Sequence, residues 1–339
     1  MPGTSQIHTL RLTLTNPWTI SRGSAAGKEY ACVELRLDGH TGWGEAAHNS
    51  RYDESLKSVR AGLAVGIGHF GRSGLAALPE ILADDRISGS AKAALDMALL
   101  DLEGKQRGLP AGELLGVPAV LPPRTSFSIG IDSLEVMKAK TLAASEYAVL
   151  KIKLGTDHDE AIVNAIREVT DQPLRVDANE GWCDREQALR HIERLAGQGV
   201  ELIEQPMPAG NLDDVAWLRE RSPLPLFADE DVMKTTDIPR LARAYHGINI
   251  KLMKAGGPRE AWRMVSEARR LGLKIMLGCM IESSCGISAA AHLSPAVDFT
   301  DLDGHLLLAS DPFSGLRLED GRVLTSGRPG LGVEPAGAF

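Results

Sequence analysis

Apolar residues along this chain first alternate and then recur at helical spacing. From about Gln6 to Ala46 they follow a two-residue period, with Leu10, Leu12 and Leu14 in one run and Cys32, Val33, Leu35 and Leu37 in another, as in strands that lie with one face on a core. A small antiparallel sheet is predicted there. Helical periodicity follows, most clearly from Ala91 to Arg107 (AKAALDMALLDLEGKQR), where Ala94, Met97, Leu99, Leu100 and Leu102 form a broad apolar face and Gly108-Leu109-Pro110 ends it. Strands followed by helices predict an α+β capping domain over residues 1–115.

From Ser126 the pattern becomes short apolar strands separated by amphipathic segments, at a spacing of about 25 residues that parallel βαβ units require. Eight strands are predicted: SFSIGI, AVLKIKL, LRVDAN, ELIEQP, LPLFADE, INIKLM, KIMLGC and DFTDLDG. Helices such as Arg185 to Ala196 and Glu260 to Leu271 lie between them. The fold class expected is α/β, a (β/α)7β variant of the eight-stranded barrel over residues 116–313. A doubly wound sheet is disfavoured because no Gly-rich phosphate turn follows the first strand. The Gly- and Pro-rich stretch 314–339 is expected to pack back on the cap.

Composition adds limits rather than a direction. The chain has 339 residues, 43% hydrophobic and 24% charged, enough for a large barrel with a smaller companion and typical of a soluble globular protein. A net charge of −8, with no long basic run, argues against a nucleic-acid partner and for small-molecule chemistry. The opening MPGTSQIHTLRLTLT lacks a basic region followed by an apolar one, and no apolar stretch is long enough to span a bilayer. A cytoplasmic location without membrane association is expected. Cys32, Cys183, Cys279 and Cys285 show neither a CxxC pairing nor a companion His at zinc spacing, and read as structural thiols.

The chemistry lies at the strand ends, which converge on one mouth in a barrel. Asp177, Glu204 and Asp229 end three consecutive strands. Any one of them alone is more often a helix cap or a surface ion pair, but three in register can meet around a point. With no Cys or His beside them, an all-oxygen set suits a hard cation, Mg²⁺ before Mn²⁺ or Ca²⁺. Lys153 on the second strand and Lys251 on the sixth stand on opposite sides of that mouth, the placement for two bases facing opposite faces of one carbon. Lys151 is a cationic neighbour for Lys153. Ser128, Cys279 and Glu282 are further candidate substrate contacts near the mouth.

The runs KIKLG, RVDANEGW, LIEQPMP, ADED, INIKLMKAGG and GCMIESSCGISAAAH, with the cap helix and the tail GRPGLG, resemble the muconate-lactonizing-enzyme subgroup of the enolase superfamily over essentially the whole chain. The resemblance implies that Asp177, Glu204 and Asp229 bind one Mg²⁺, that Lys153 and Lys251 are acid/base catalysts, and that Lys151 steadies an enolate oxygen. Sites of this superfamily pair a Lys or His base with Mg²⁺.

Within that subgroup, Asp301-Leu302-Asp303 resembles the Asp-x-Asp that receives the ammonium group of a dipeptide in L-Ala-D/L-Glu epimerases. Arg22, in Ile20-Ser21-Arg22-Gly23-Ser24, resembles the loop arginine that meets the distal carboxylate of glutamate there. The likeness therefore implies an isomerase that epimerises a dipeptide at its C-terminal residue, with a role in cell-wall peptide recycling. N-acylamino-acid racemisation, o-succinylbenzoate synthesis and a non-catalytic metabolite-binding barrel remain as rivals. Two departures stand out: Asp231, where many relatives have a small residue, and Pro258 after the double glycine. Asp231 is expected to alter the charge of the pocket. No motif reports symmetry, so a homo-oligomer stays open.

Overall fold

In the computed structural model, residues 3–20 and 23–337 are described. The N-terminal alternation forms three antiparallel strands, β1 (Thr4–Ile20), β2 (Gly23–Leu37) and β3 (His40–Ala46). Leu10, Leu12 and Leu14 are buried between exposed neighbours, as the period of two requires. The pairing of β1 with β2 breaks between Thr13 and Trp18. Beyond the break the hairpin arm leans on the barrel mouth, where Ile131 N donates to Thr19 O at 2.9 Å.

Helices α1 (Leu56–Ser73), α2 (Leu78–Ala83), α3 (Gly89–Arg107) and α4 (Ala111–Leu114) complete this layer. The apolar face expected of α3 is wider than a single stripe, with Asp96 and Asp101 buried as well. The reason is its position between the sheet and the barrel. On the sheet side it presses so closely on β3 that a Cβ on Gly44 would lie 1.8 Å from Ala94 O. On the barrel side Asp96 accepts from Arg259 N at 2.9 Å.

The barrel strands are β4 (Ser126–Ile129), β5 (Val149–Lys153), β6 (Leu174–Asp177), β7 (Val200–Glu204), β8 (Leu226–Ala228), β9 (Gly247–Lys251), β10 (Lys274–Gly278) and β11 (Phe299–Asp301). They form one eight-stranded sheet in sequence order, and a parallel bridge between Thr125 and Thr300 brings its edges together. Between the strands lie α5 (Leu134–Ala143), α6 (Asp159–Arg167), α7 (Arg185–Ala196), α8 (Leu212–Arg219), α9 (Ile238–Leu241), α10 (Leu252–Ala255), α11 (Pro258–Arg270) and α12 (Ser284–Ala291). Pro258 falls in the first turn of α11, where a missing N–H costs nothing. After β11 only a 3₁₀ turn, Gly304–Leu307, follows. The architecture is therefore (β/α)7β beneath an α+β layer.

The tail forms β12 (Phe313–Ser314) paired with β15 (Glu334–Pro335), and a hairpin of β13 (Arg317–Glu319) and β14 (Arg322–Leu324). Its last segment returns to the helical layer, with Ala111 N donating to Gly330 O and Leu331 N to Asp101 Oδ1, both at 2.8 Å.

Candidate active site

Register places the polar strand ends side by side. Lys153 pairs with Asp177 and Asp177 with Glu204, while Lys251 pairs with Gly278 and Gly278 with Asp301. Paired residues in register project to the same face, so both groups enter the mouth. Lys151 is two residues before Lys153 and points the same way, one layer deeper, at 1% exposure. Asp229 follows the end of β8 directly.

The carboxylates converge: single oxygens of Asp177, Glu204 and Asp229 lie within 4.8 Å of one another, all buried. Around them stand four ammonium groups. Lys153 Nζ donates to Asp177 Oδ2 at 2.7 Å, and Lys251 Nζ to Asp229 Oδ2 at 2.7 Å. Lys151 Nζ lies 2.6 Å from Asp301 Oδ2, 2.6 Å from Glu204 Oε2 and 3.3 Å from Asp177 Oδ2. The fourth, Lys254, one turn beyond Lys251, donates to the Asp229 carboxylate and to its main-chain oxygen. Asn249 Nδ2 donates to Glu204 Oε1 at 2.7 Å. It reaches past Gly278, where a Cβ would come within 2.5 Å of the Asn249 side chain.

These contacts set the protonation states. Burial pushes Glu204 up to about 7, with the charge of Asp177 adding to it. For Asp177 and Asp229 burial works the same way but the lysines outweigh it, so both stay below the ordinary carboxylate range. Burial opposes the charge on Lys151 and Lys251, yet the surrounding carboxylates hold both well above an ordinary lysine.

The cluster fits a divalent cation. Its donors are carboxylate oxygens alone, and Glu204 Oε2 accepts no well-formed hydrogen bond although Lys151 lies beside it. Such a set in close mutual repulsion matches Mg²⁺.

Asp301 and Asp303 prove unequal. Asp301 is held by Lys151 and by Ser126 Oγ at 2.6 Å, while Asp303 accepts from Ser128, with Oδ2 2.7 Å from Ser128 N. Burial and then the charge of Asp301 push Asp303 up to about 6. Both line a cavity of about 890 Å³ that opens over the lysines, as do Ser128 and Cys279. Cys279 Sγ lies 3.2 Å from Asp301 O. Glu282 is not among the lining residues. It turns inward beside Glu45, with Oε1 accepting from Met280 N at 2.8 Å. Arg22 lies outside the described residues.

Asp231 does not reach the pocket either, contrary to expectation. Its carboxylate is buried and tied to Gly210 N, Gln205 Nε2 and the Tyr245 hydroxyl at 2.7 to 2.9 Å. A carboxylate with three donors satisfies a local network and adds no charge to the cavity.

For several other residues at the mouth, Arg51 of the lid segment His48–Tyr52 among them, the sequence does not tell the contacts. Trp18, from the far arm of the hairpin, sets its ring 5.8 Å from Lys153 Nζ. Arg51 closes another side, donating through Nε and Nη2 to Glu180 at 2.9 Å each. Lys254 was legible only as part of a motif, without a role.

Residues 4–116 match the mandelate racemase / muconate lactonizing enzyme N-terminal domain, and residues 135–338 match the enolase C-terminal domain-like family. The chain belongs to the enolase superfamily. It is 45% identical, over 95% of this chain and 85% of the relative, to an L-Ala-D/L-Glu epimerase of Bacteroides thetaiotaomicron. Among solved structures it is similar to an enolase family member of Agrobacterium tumefaciens with homology to dipeptide epimerases, which contains sodium and L-Ala-L-Glu. The TM-score there is 0.88 at 38% identity, covering 97% of this chain and 99% of that one. A dipeptide epimerase of Enterococcus faecalis, solved with Mg and L-Leu-L-Tyr, gives 0.89 at 31% identity, covering 97% and 98%. Among the described residues no helix is long and apolar enough to cross a membrane.

Proposed function

We propose that this enolase-superfamily member is a Mg²⁺-dependent dipeptide epimerase, with L-Ala-D/L-Glu as its substrate pair, acting by a two-base 1,1-proton transfer at the α-carbon of the C-terminal residue. One observation carries the reading. Lys153 on β5 and Lys251 on β9 are half the barrel apart in strand order β5-β6-β7-β8-β9, yet both reach the same carboxylate cluster. A carbon held between them presents one face to each.

Asp177, Glu204 and Asp229 would hold the metal, which supplies Lewis-acid stabilisation of the charge that develops on the substrate carboxylate. Lys151 adds a fixed ammonium on the same side, itself only 1% exposed at the floor of the cavity. With the carboxylates committed to the metal their hold on the ammonium groups would weaken, so the neutral Nζ of one of Lys153 and Lys251 takes the α-proton and the ammonium of the other returns a proton to the opposite face. Each turnover leaves the first lysine protonated and the second neutral, and proton exchange with solvent restores the starting pair. Asp303 is the carboxylate that meets the ammonium group of the dipeptide, since Asp301 is committed to Lys151 and Ser126. An N-acylated or dicarboxylic substrate has no cation for it. Four unpaired cysteines accord with a cytoplasmic setting.

The test is ¹H NMR of L-Ala-L-Glu in D₂O with protein and Mg²⁺. Loss of the Glu α-proton signal with appearance of L-Ala-D-Glu is the expected result. Exchange with N-acyl amino acids alone would replace the epimerase by a racemase.

A further inference from the structure

Under the Mg²⁺ assignment above, on which this inference rests, carboxylates from three strand ends must keep their separation whether or not the ion is bound. Strand pairing alone does not hold them. The ladder between β7 and β8 ends at Glu204 and Phe227, with Gln205 N donating to Phe227 O at 2.8 Å, and Asp229 lies beyond it. In a parallel ladder the next bond would run from Asp229 N to the Gln205 carbonyl.

That carbonyl is turned away. Gln205 has a left-handed φ of 36°, uncommon for a residue with a side chain, and its oxygen accepts instead from Glu180 N at 3.0 Å, in the loop that follows Asp177. The side chain fills the gap, with Gln205 Oε1 accepting from Asp229 N at 2.9 Å. One fully buried residue is thus joined to Glu204 by the chain, to Asp229 by its amide oxygen and to the Asp177 loop by its carbonyl. Such a backbone is strained and persists only where its surroundings fix it.

The amide serves only one way round. Gln205 Nε2 donates to Met207 O and to Asp231 Oδ2, each at 2.9 Å, and to the Tyr245 hydroxyl at 3.1 Å. Turned over, it would set an NH₂ group against the N–H groups of Asp229 and Asp231. Asp231 decides the orientation, because a carboxylate only accepts. It is itself held by Gly210 N and the Tyr245 hydroxyl, each at 2.7 Å. The acid that departs from the family pattern therefore has a task away from the cavity.

We propose that Gln205 is a positioning residue for the metal site, tying Glu204, Asp229 and the loop after Asp177 into one unit, and that Asp231 and Tyr245 lock its amide in the orientation this needs.

Calorimetric titration of Mg²⁺ into the whole protein tests this, with urea unfolding in EDTA reporting fold stability separately. Gln205→Met fills a similar space without donor or acceptor, and is expected to weaken Mg²⁺ binding about tenfold to a hundredfold. Asp231→Asn keeps the shape, but the new amide can offer its oxygen to Gly210 N or to Gln205 Nε2 and not to both. The loss expected there is about threefold to tenfold. Because Asp231 acts through Gln205, adding Asp231→Asn to Gln205→Met costs no further affinity, whereas independent sites would add. Should Gln205→Met not fold, the affinity of Asp231→Asn decides alone. Folded variants that bind Mg²⁺ as the wild type does, whatever their stability in EDTA, or losses that add in the double variant, overturn the proposal and leave the metal site in place. A wild type that binds no Mg²⁺ overturns both.

Discussion

Replacing Glu282 by Gln is expected to remove much of an alkaline weakness in this fold. Glu45 on β3 and Glu282 before α12 are both buried, at 0% and 1% exposure, where the N-terminal sheet meets the barrel. Glu45 is well supplied with donors, Ser283 N at 3.1 Å, Gly286 N at 3.3 Å and the Ser283 hydroxyl. Burial outweighs them and its pKa rises to about 7. Among the described residues Glu282 has Met280 N alone as a donor, and burial followed by the charge of Glu45 pushes it up to about 8. Unfolded, both would ionise near the ordinary value of 4.5. The folded state therefore binds more protons between about pH 4.5 and 8, and stability falls as pH rises through that window. For Glu282 alone, a rise from 4.5 to about 8 corresponds to a loss on the order of 5 kcal/mol above pH 8. Gln keeps the shape and can accept from Met280 N without the charge. Urea unfolding at pH 5 and pH 9 reads the difference, because titrations common to both proteins cancel. The wild type should lose several kcal/mol more than Glu282→Gln between the two pH values. Unfolding free energies that fall in parallel would refute the assignment of a protonated native Glu282.

Other expectations concern the site itself. Lys153→Met and Lys251→Met should each slow epimerisation by about a hundredfold to ten-thousandfold, while α-proton exchange in D₂O survives for one epimer in each variant and for opposite epimers in the two. Asn249→Ala, which frees Glu204 Oε1 from its donor, should weaken Mg²⁺ binding about tenfold to a hundredfold by calorimetry. Asp303→Asn should reduce turnover of L-Ala-L-Glu about tenfold or more and leave exchange of N-acetylglutamate less affected, as competition between the two substrates would show.

The sequence by itself determined the barrel and the polar rim of its mouth. Eight apolar runs at regular spacing leave little choice of fold, and a strand that ends in Lys or Asp delivers that residue to the mouth wherever the barrel closes. Thus Lys153, Asp177, Glu204, Asp229 and Lys251 were legible one by one, and their meeting followed from topology. What depended on contacts between distant segments was decided only by the tertiary structure. Asp231 and Glu282 sit in motifs beside the site, yet one turns into a network with Gln205 and Tyr245 and the other to Glu45. A side chain's direction beyond the strand end is set by the donors and the space it meets there. Likewise Trp18 reaches Lys153 because the pairing of β1 breaks before it. Local periodicity reports which face of an element is buried, but not which distant surface buries it.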